Sequence, residues 1–190
     1  MLRSSASDGM DDAGIDDTVD QWLEVARDLL GEGDDAAILA RADHAVDQAI
    51  LRAPGHAPAW IVKCQIAAAR GDDIAALAAA EAAVAHAPTW AVAHYWRGAL
   101  LGDLGHGLAA LAAIERAFLH LGEDDDWLLE DLFFEKATLY DALGDREAAA
   151  ATYRAGLARC PTSTLLRVGA EPMSQPPRSP VLKVLRGGLD

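Results

Sequence analysis

Residues 57–122 read APAWIVKCQIAAARGDDIAALAAAEAAVAHAP (57–88) followed by TWAVAHYWRGALLGDLGHGLAALAAIERAFLHLG (89–122), and the second segment repeats the pattern of the first. Equivalent residues stand 34 positions apart, as in the pairs Gly71 and Gly105, Ala76 and Ala110, Ala83 and Ala117, and His86 and His120. A constant period of this length is typical of stacked helical hairpins. The sequence therefore predicts an all-α repeat array, an architecture that provides an extended binding surface.

The same pattern extends in both directions and predicts four hairpins. Each has a glycine at the turn, a bulky residue followed by a small one on its first helix, an aligned alanine on its return helix, and a helix-breaking residue after it. The turn glycines are Gly33, Gly71, Gly105 and Gly144, the bulky residues are Trp22, Trp60, His94 and Phe133, and the small ones are Ala26, Cys64, Gly98 and Ala137. The aligned alanines are Ala42, Ala76, Ala110 and Ala149, and the terminators are Pro54, Pro88, Gly122 and Pro161.

These motifs resemble the tetratricopeptide repeat, with its Trp, Leu-Gly, Tyr, Ala, aromatic, Ala and Pro pattern over 34 residues. The resemblance covers residues 19–161 and implies a right-handed α-solenoid of about four helix-turn-helix repeats. The chain departs from the pattern where Lys63, Arg97 and Lys136 replace a leucine, and an acidic insertion at 122–126 interrupts the period.

The termini differ in composition from the repeats and divide the chain into three parts. Residues 1–17 are predicted to be a disordered acidic N-terminal arm, and residues 18–161 the repeat domain. Residues 162–190 are predicted to begin with a cap turn over the last hairpin and to continue as a proline-rich flexible tail.

The net charge of the chain limits the classes of partner that we expect it to bind. The net charge of −14 argues against nucleic acid, whose binding requires a basic surface, and against an anionic membrane surface. Residues 1–17 are not expected to be a signal peptide, because they contain no apolar run, and the sequence has no apolar run of transmembrane length. We therefore expect a cytoplasmic protein that binds another protein, and the excess of arginine over lysine with much alanine is associated with bacterial genomes.

The resemblance also implies where a partner binds, because the first helix of each repeat lines the concave face of such arrays. The residues matching that face are Leu23, Arg27, Ile61, Gln65, Val92, Tyr95, Ala99, Asp103, Phe134, Thr138 and Asp141. This predicted groove is apolar and aromatic at its centre with acids at its edges, which suits an apolar segment with basic residues. Tyr95 and Phe134 have the alternative of packing between helices. The lysine, asparagine and arginine with which some family members hold a C-terminal carboxylate are missing, so a carboxylate clamp is not expected.

No catalytic motif and no metal or cofactor site is predicted. The sequence lacks nucleophile-elbow, phosphate-loop and HExxH patterns. The six histidines do not cluster in sequence, and Cys64 and Cys160 are expected to be free thiols on different hairpins. The acidic pairs at 34–35 and 72–73 and the run at 123–126 are interpreted as helix caps rather than cation sites, because they lack the ligand spacing of a calcium loop.

We therefore predict a non-enzymatic interaction module, either an adaptor or a client-holding chaperone, that binds an apolar and basic segment in its groove. The alternatives are an accessory or regulatory subunit of an enzyme complex and a self-assembling structural repeat protein.

The tail residues 181–186, Val-Leu-Lys-Val-Leu-Arg, complement an acidic apolar groove, and we predict that they dock either in the groove of their own chain or in that of a neighbouring copy. The alternative is a disordered tail. Deleting residues 171–190 should then raise the affinity for the partner, because a competing segment is removed. Isothermal titration of the full and truncated chains measures this, and unchanged affinity would rule out docking in the groove.

Overall fold

The computed structural model describes residues 18–171, and within that range every regular element is helical. The predicted N-terminal arm and the tail with its docking segment lie outside these residues. The helices are α1 (Val19–Glu32), α2 (Ala36–Arg52), α3 (Ala57–Ala69), α4 (Asp73–His86), α5 (Ala91–Asp103), α6 (Gly107–Leu119), α7 (Leu129–Ala142), α8 (Arg146–Arg159) and α9 (Thr164–Ala170), with a 3-10 turn, Asp126–Leu128, before α7. The prediction of an all-α array of four hairpins is confirmed, and α9 packs on α7 and α8.

Short polar side chains begin five of these helices, including α9, where the Ser163 hydroxyl accepts the backbone N–H of Leu166. Thr18 and Gln21 form a capping box at α1, and aspartate side chains accept a backbone N–H at the starts of α2, α4 and α8 (Asp35, Asp72 and Asp145). Each such cap satisfies an amide that has no partner within the helix.

The acidic insertion does not cap α7, contrary to the sequence interpretation. The Asp125 carboxylate instead accepts the backbone N–H of Gly122 at 2.8 Å, within its own loop, and α7 follows the 3-10 turn with no side-chain cap. The insertion therefore closes a loop between hairpins.

The hairpin turns depend on glycine because the chain adopts a left-handed conformation there. Gly71 and Gly105 have φ values of 73° and 79°, a region in which a Cβ atom is strained. The backbone N–H of Asp72 then bonds back to the carbonyl of Ala67, and that of His106 to the carbonyl of Leu101. The recurring glycines thus terminate the first helix of each hairpin and set the angle of its return.

The odd-numbered helices form the inner layer of the array. Each contacts the next odd helix, α1 with α3, α3 with α5 and α5 with α7, whereas no comparable contact joins successive even helices up to α8 within the described range. Helices that approach more closely on one side make the stack curve toward that side. The even helices therefore form the outer, convex layer.

The core consists of small side chains that let helices approach closely. Alanine fills most buried positions of α4 and α6, and at Gly98 a Cβ atom would lie 2.6 Å from Cδ1 of Ile114. Trp96, Leu100 and Ile114 provide the bulk between them. Both cysteines are free thiols, and no helix of residues 18–171 has the length and apolar character needed to cross a bilayer.

One ion pair is repeated at the successive hairpin interfaces. The cations that replace the family's leucine bond to acids on the preceding outer helix: Lys63 to Asp47 at 2.7 Å, Arg97 to Glu81 at 3.5 Å and Lys136 to Glu115 at 3.3 Å. The departures from the repeat pattern therefore have a structural role, since each cation joins two hairpins.

The first of these interfaces is the most extensive. Lys63 also bonds to Asp43 at 2.7 Å, and Arg70 reaches the second oxygen of Asp43 at 2.9 Å. Burial raises the pKa of Asp43, but the hydrogen bonds from Lys63 and Arg70 outweigh it, and the net pKa lies below its usual value. Asp43 therefore depends on its two cations.

We expect Lys63→Met to lower the free energy of unfolding by about 1–2 kcal/mol, because two short charge-assisted hydrogen bonds are lost and Asp43 is left with one cation. The matched variant Arg97→Met should cost less than about 1 kcal/mol, as is usual for one exposed ion pair. Urea unfolding followed by circular dichroism measures both. Equal losses would show that the network around Asp43 adds nothing to a single pair.

Candidate functional site

The structure places every predicted groove residue on an inner helix. Two lie on α1, two on α3, four on α5 and three on α7: Leu23 and Arg27; Ile61 and Gln65; Val92, Tyr95, Ala99 and Asp103; Phe134, Thr138 and Asp141. Because inner helices contact one another in sequence, these residues follow one continuous face of the array.

The apolar members of this set lie below the surface of the face. Leu23, Ile61, Val92, Tyr95 and Ala99 are all buried, with at most 5% of each residue exposed. Phe134 is partly buried, with its ring 6.3 Å from that of Tyr153 on α8. The packing that the sequence offered as the alternative for Tyr95 and Phe134 is therefore present. The polar residues of the set, together with Phe134, are the partly accessible ones.

The most unusual electrostatics lie at the seam between α5 and α7. Tyr95, Ala99 and Asp103 follow one another at intervals of four along α5, and Asp131 and Glu135 have the same interval on α7, so each set shares a helix face. Burial, and then the charge of Asp103 and Asp131, raise the pKa of Glu135 to about 7. Burial and the charge of Asp73 raise that of Asp103 to about 6. We call Tyr95, Asp103 and Glu135 the acidic seam.

The Tyr95 hydroxyl belongs to this group electrostatically. Burial, followed by the charges of Glu135, Asp131 and Asp103, raises its pKa well above the ordinary value for tyrosine. Tyr95 therefore stays neutral and can donate or accept a hydrogen bond. Nearby Tyr153 is affected in the same way, by burial and by Asp141 and Glu135, with its pKa raised to about 12.

Sequence reasoning missed Asp131 and Glu135. It placed Phe134 and Thr138 on the concave face, whereas Glu135 is the α7 residue that electrostatically couples to Tyr95 and Asp103 on α5. The signal was the pair of acids four residues apart on a helix that also carries buried Leu132. That spacing puts both carboxyl groups on one face.

One cation of the predicted groove set lies on α1. Arg27 is partly buried, and its Nε atom is buried without a hydrogen-bond partner. Gln65 lies between this end and the acidic seam along the order of the inner helices. Arg27 is thus the basic member of the predicted groove set, whereas Asp103 and Asp141 are its acidic members.

Two histidines are closer than the sequence indicated. The rings of His94 and His120 stack with centroids 5.4 Å apart, and His94 Nε2 lies 2.8 Å from the carbonyl oxygen of Pro88. Burial lowers the pKa of His94, so its neutral form is favoured in a packing role. In the described range, no three His, Cys, Asp or Glu side chains are grouped so that they could hold a metal ion.

A second concavity lies beside the acidic insertion. A cleft of about 540 Å³ is lined by Phe118, Leu121, Gly122, Glu123, Asp126, Leu129, Phe133 and Arg159. It mixes exposed charges with two aromatic rings in edge contact at 5.0 Å. The repeat pattern did not predict this cleft, because the insertion that creates it breaks the repeat.

The raised pKa of Glu135 predicts how the free energy of unfolding changes with pH. Its folded pKa of about 7 lies above the ordinary value of 4.5, so between those values the folded state binds more protons than the unfolded state. The stability it contributes is complete below the unfolded pKa and is lost as the pH rises through the folded value. Replacing Glu135 with glutamine should raise the free energy of unfolding near pH 8 by on the order of 2 kcal/mol and leave it nearly unchanged near pH 5.

Chemical unfolding at the two pH values measures this effect. The matched control is Glu147→Gln, which removes one exposed carboxylate from α8 and should show no such difference between the two conditions. A Glu135→Gln curve that parallels the wild type at both pH values would contradict the assignment.

Comparison with known proteins shows similarity to solved structures only. No protein-family model matches the sequence, and no curated protein matches it. Among solved structures, a thermophilic TPR protein of Thermus thermophilus aligns with 22% identity over 79% of this chain and 78% of its own, with a TM-score of 0.65. MamA aligns with 16% identity over 76% and 80%, also at 0.65.

A tetratricopeptide repeat protein from Parabacteroides merdae aligns with 16% identity over 80% of this chain and 57% of its own, with a TM-score of 0.62. These likenesses agree with the repeat register, the left-handed turn glycines and the two-layer stack described above. The chain has the fold of the tetratricopeptide repeat proteins.

Proposed function

We propose that this protein is a non-enzymatic interaction module whose inner face binds an apolar and basic segment of another protein. The role would be that of an adaptor or a client-holding chaperone in the cytoplasm, with no cofactor. The observation that carries the proposal is the acidic seam. It places two carboxyl groups with raised pKa values on the inner face of a repeat array.

The burial pattern supports separate roles for the buried and the accessible residues of this face. Ile61, Val92 and Tyr95 pack beneath the surface and hold the inner helices together. The partly accessible residues, among them Gln65, Thr138 and Phe134, are the ones that would contact a partner.

One observation favours the alternative of an accessory or self-assembling protein. Ile74 and Leu108 occupy the same repeat position on the outer helices α4 and α6, and each is 75% exposed. Two apolar side chains at repeat-related positions on the convex face suit a contact there. Such a contact with a second copy would make the sedimentation coefficient rise with concentration.

Site-specific photocrosslinking separates the two faces. We expect a benzoylphenylalanine residue at Gln65 or Thr138 to form adducts with a polypeptide partner in native lysate, because both positions are partly accessible on inner helices. The matched controls are Ala78 and Ala112, exposed positions on the outer helices α4 and α6. Peptide mapping of each adduct identifies the bound segment.

Adducts from the inner positions that map to an apolar segment with basic residues would support the proposal. Adducts from the outer positions alone would move the binding surface to the convex face. Adducts with further copies of this chain would favour self-assembly.

A further inference from the structure

The cleft beside the acidic insertion exposes apolar side chains that the described residues do not cover. Its volume is about 540 Å³, and one outer helix, the loop after it and one inner helix provide the apolar lining, which consists of Phe118, Leu121, Leu129 and Phe133. Three of these four residues are partly accessible, although large apolar side chains are usually buried in a folded protein. The cleft therefore offers apolar surface from which water can still be removed.

Contacts among three helices hold the two aromatic rings of the cleft in place. The rings of Phe118 on α6 and Phe133 on α7 are in edge contact, with their centroids 5.0 Å apart. Lys136 Nζ lies 5.6 Å from the centroid of the Phe118 ring. Gly156 on α8 makes room for Phe133, because a Cβ atom at Gly156 would lie 2.8 Å from Cβ of Phe133. The packing of the repeats therefore forms the apolar lining before anything binds.

The acidic insertion adds two unpaired carboxylates to this cleft. Its loop is fixed by Asp125, whose carboxylate accepts the backbone N–H of Gly122 at 2.8 Å. Glu123 and Asp126, which precede and follow this part of the loop, line the cleft, and within residues 18–171 neither carboxylate accepts a hydrogen bond or forms an ion pair. Arg159 lines the cleft from α8 and is paired with neither of them. Two acids and one base leave the cleft with an excess of negative charge.

The tail residues 181–186, Val-Leu-Lys-Val-Leu-Arg, have the complementary chemistry. They supply four apolar side chains and two cations, and the cleft supplies four apolar residues and two unpaired carboxylates. The inner face, for which the sequence predicted docking, is a poorer match because Ile61, Val92 and Tyr95 are already buried there. Burial of new apolar surface stabilises such a contact, and the aromatic rings of the cleft provide that surface.

The chain leaves the described helices within reach of the cleft. Helix α9 packs on α7 and α8, both of which line the cleft, and a Cβ atom at Gly169 would meet the ring of Tyr153 on α8. Tyr153 precedes Arg159 by two turns or less, about 9 Å along the helix axis at about 1.5 Å per residue. Residues 171–180 connect the end of α9 to Val181, and such a length of chain spans up to roughly 33 Å.

We propose that residues 181–186 dock in this cleft of their own chain, with their apolar side chains over the two aromatic rings and their two cations beside Glu123 and Asp126. The short connection keeps the segment at a local concentration on the order of millimolar, so a contact too weak to hold a free peptide is sufficient. The docked segment covers the outer side of the array between α6 and α8 and leaves the inner face accessible. This inference is independent of the proposed function.

Photocrosslinking within the full chain tests this contact. Benzoylphenylalanine is introduced at Leu185, or at Leu182 as a second probe position, and the dilute purified protein is irradiated without any partner. We expect an adduct that migrates as a single chain and whose peptide map joins the tail to residues 118–133. The yield of this adduct, measured by mass spectrometry, reports how much of the segment is docked.

Charge reversal tests the two carboxylates. Glu123→Lys/Asp126→Lys should lower the adduct yield by about fivefold or more, the effect of losing two partly exposed ion pairs, and Lys183→Glu/Arg186→Glu should do the same. Combining the four substitutions should restore the yield, because the charges are again complementary. The matched control Glu24→Lys/Asp28→Lys reverses two exposed acids on α1 and should leave the yield unchanged. Circular dichroism confirms that each variant is folded.

The other outcomes each overturn the proposal. An adduct that maps to the inner face near Gln65 or Thr138 would place the tail in the groove instead of the cleft. Adducts between two chains would make a neighbouring copy the source of the segment. A cleft adduct whose yield is the same in both charge-reversed variants would exclude the contact with Glu123 and Asp126. Folded protein that forms no adduct from either probe position would exclude docking.

Discussion

Stacking is the constraint on which this structure depends, because no hairpin can bury its own apolar surface alone. Each inner helix from α3 to α7 packs against its own outer helix, the preceding outer helix and its inner neighbours. As a result, ten of the 13 residues of α5 are buried, against four of the 14 in the outer helix α4. An inner helix has only a narrow strip facing solvent, so each polar residue placed on it faces a strong penalty unless it finds a partner.

The charged residues of the inner helices fall into two groups with respect to this desolvation penalty. Lys63, Arg97 and Lys136 each form an ion pair with an acid on the preceding outer helix. A charged residue therefore replaces the leucine of the repeat pattern and still has a partner. At Asp103 and Glu135 no such pairing occurs, and both pKa values rise. The first arrangement joins hairpins, whereas the second lowers the stability of the fold as the pH rises and the two carboxyl groups ionise. An unneutralised acid on a strip this narrow is therefore the feature that packing does not explain.

The sequence predicts the fold because the repeat is local. The glycine turns at Gly71 and Gly105 and the helix breaks at Pro54 and Pro88 depend on nearby residues, and a constant register carries them through four hairpins. The acidic seam depends instead on how α5 and α7 approach each other across the insertion at 122–126. The register identified Tyr95 and Asp103 as inner-face residues but did not bring Glu135 beside them. It also did not show that Tyr95 and Ile61 lie beneath the surface, because burial between hairpins is a property of the stack.

Those two facts bear on how the binding proposed for this face would work. An apolar groove would gain affinity from area removed from water, but the apolar groups here are already packed in the core. A bound cation could instead relieve the unfavourable desolvation of the carboxylates of Asp103 and Glu135. A cation that enters the acidic seam offsets this cost, because a partly buried carboxylate interacts more strongly with a positive charge than an exposed one does. Under the proposed function, such recognition would be selective for charge and would weaken with added salt less than an exposed ion pair does.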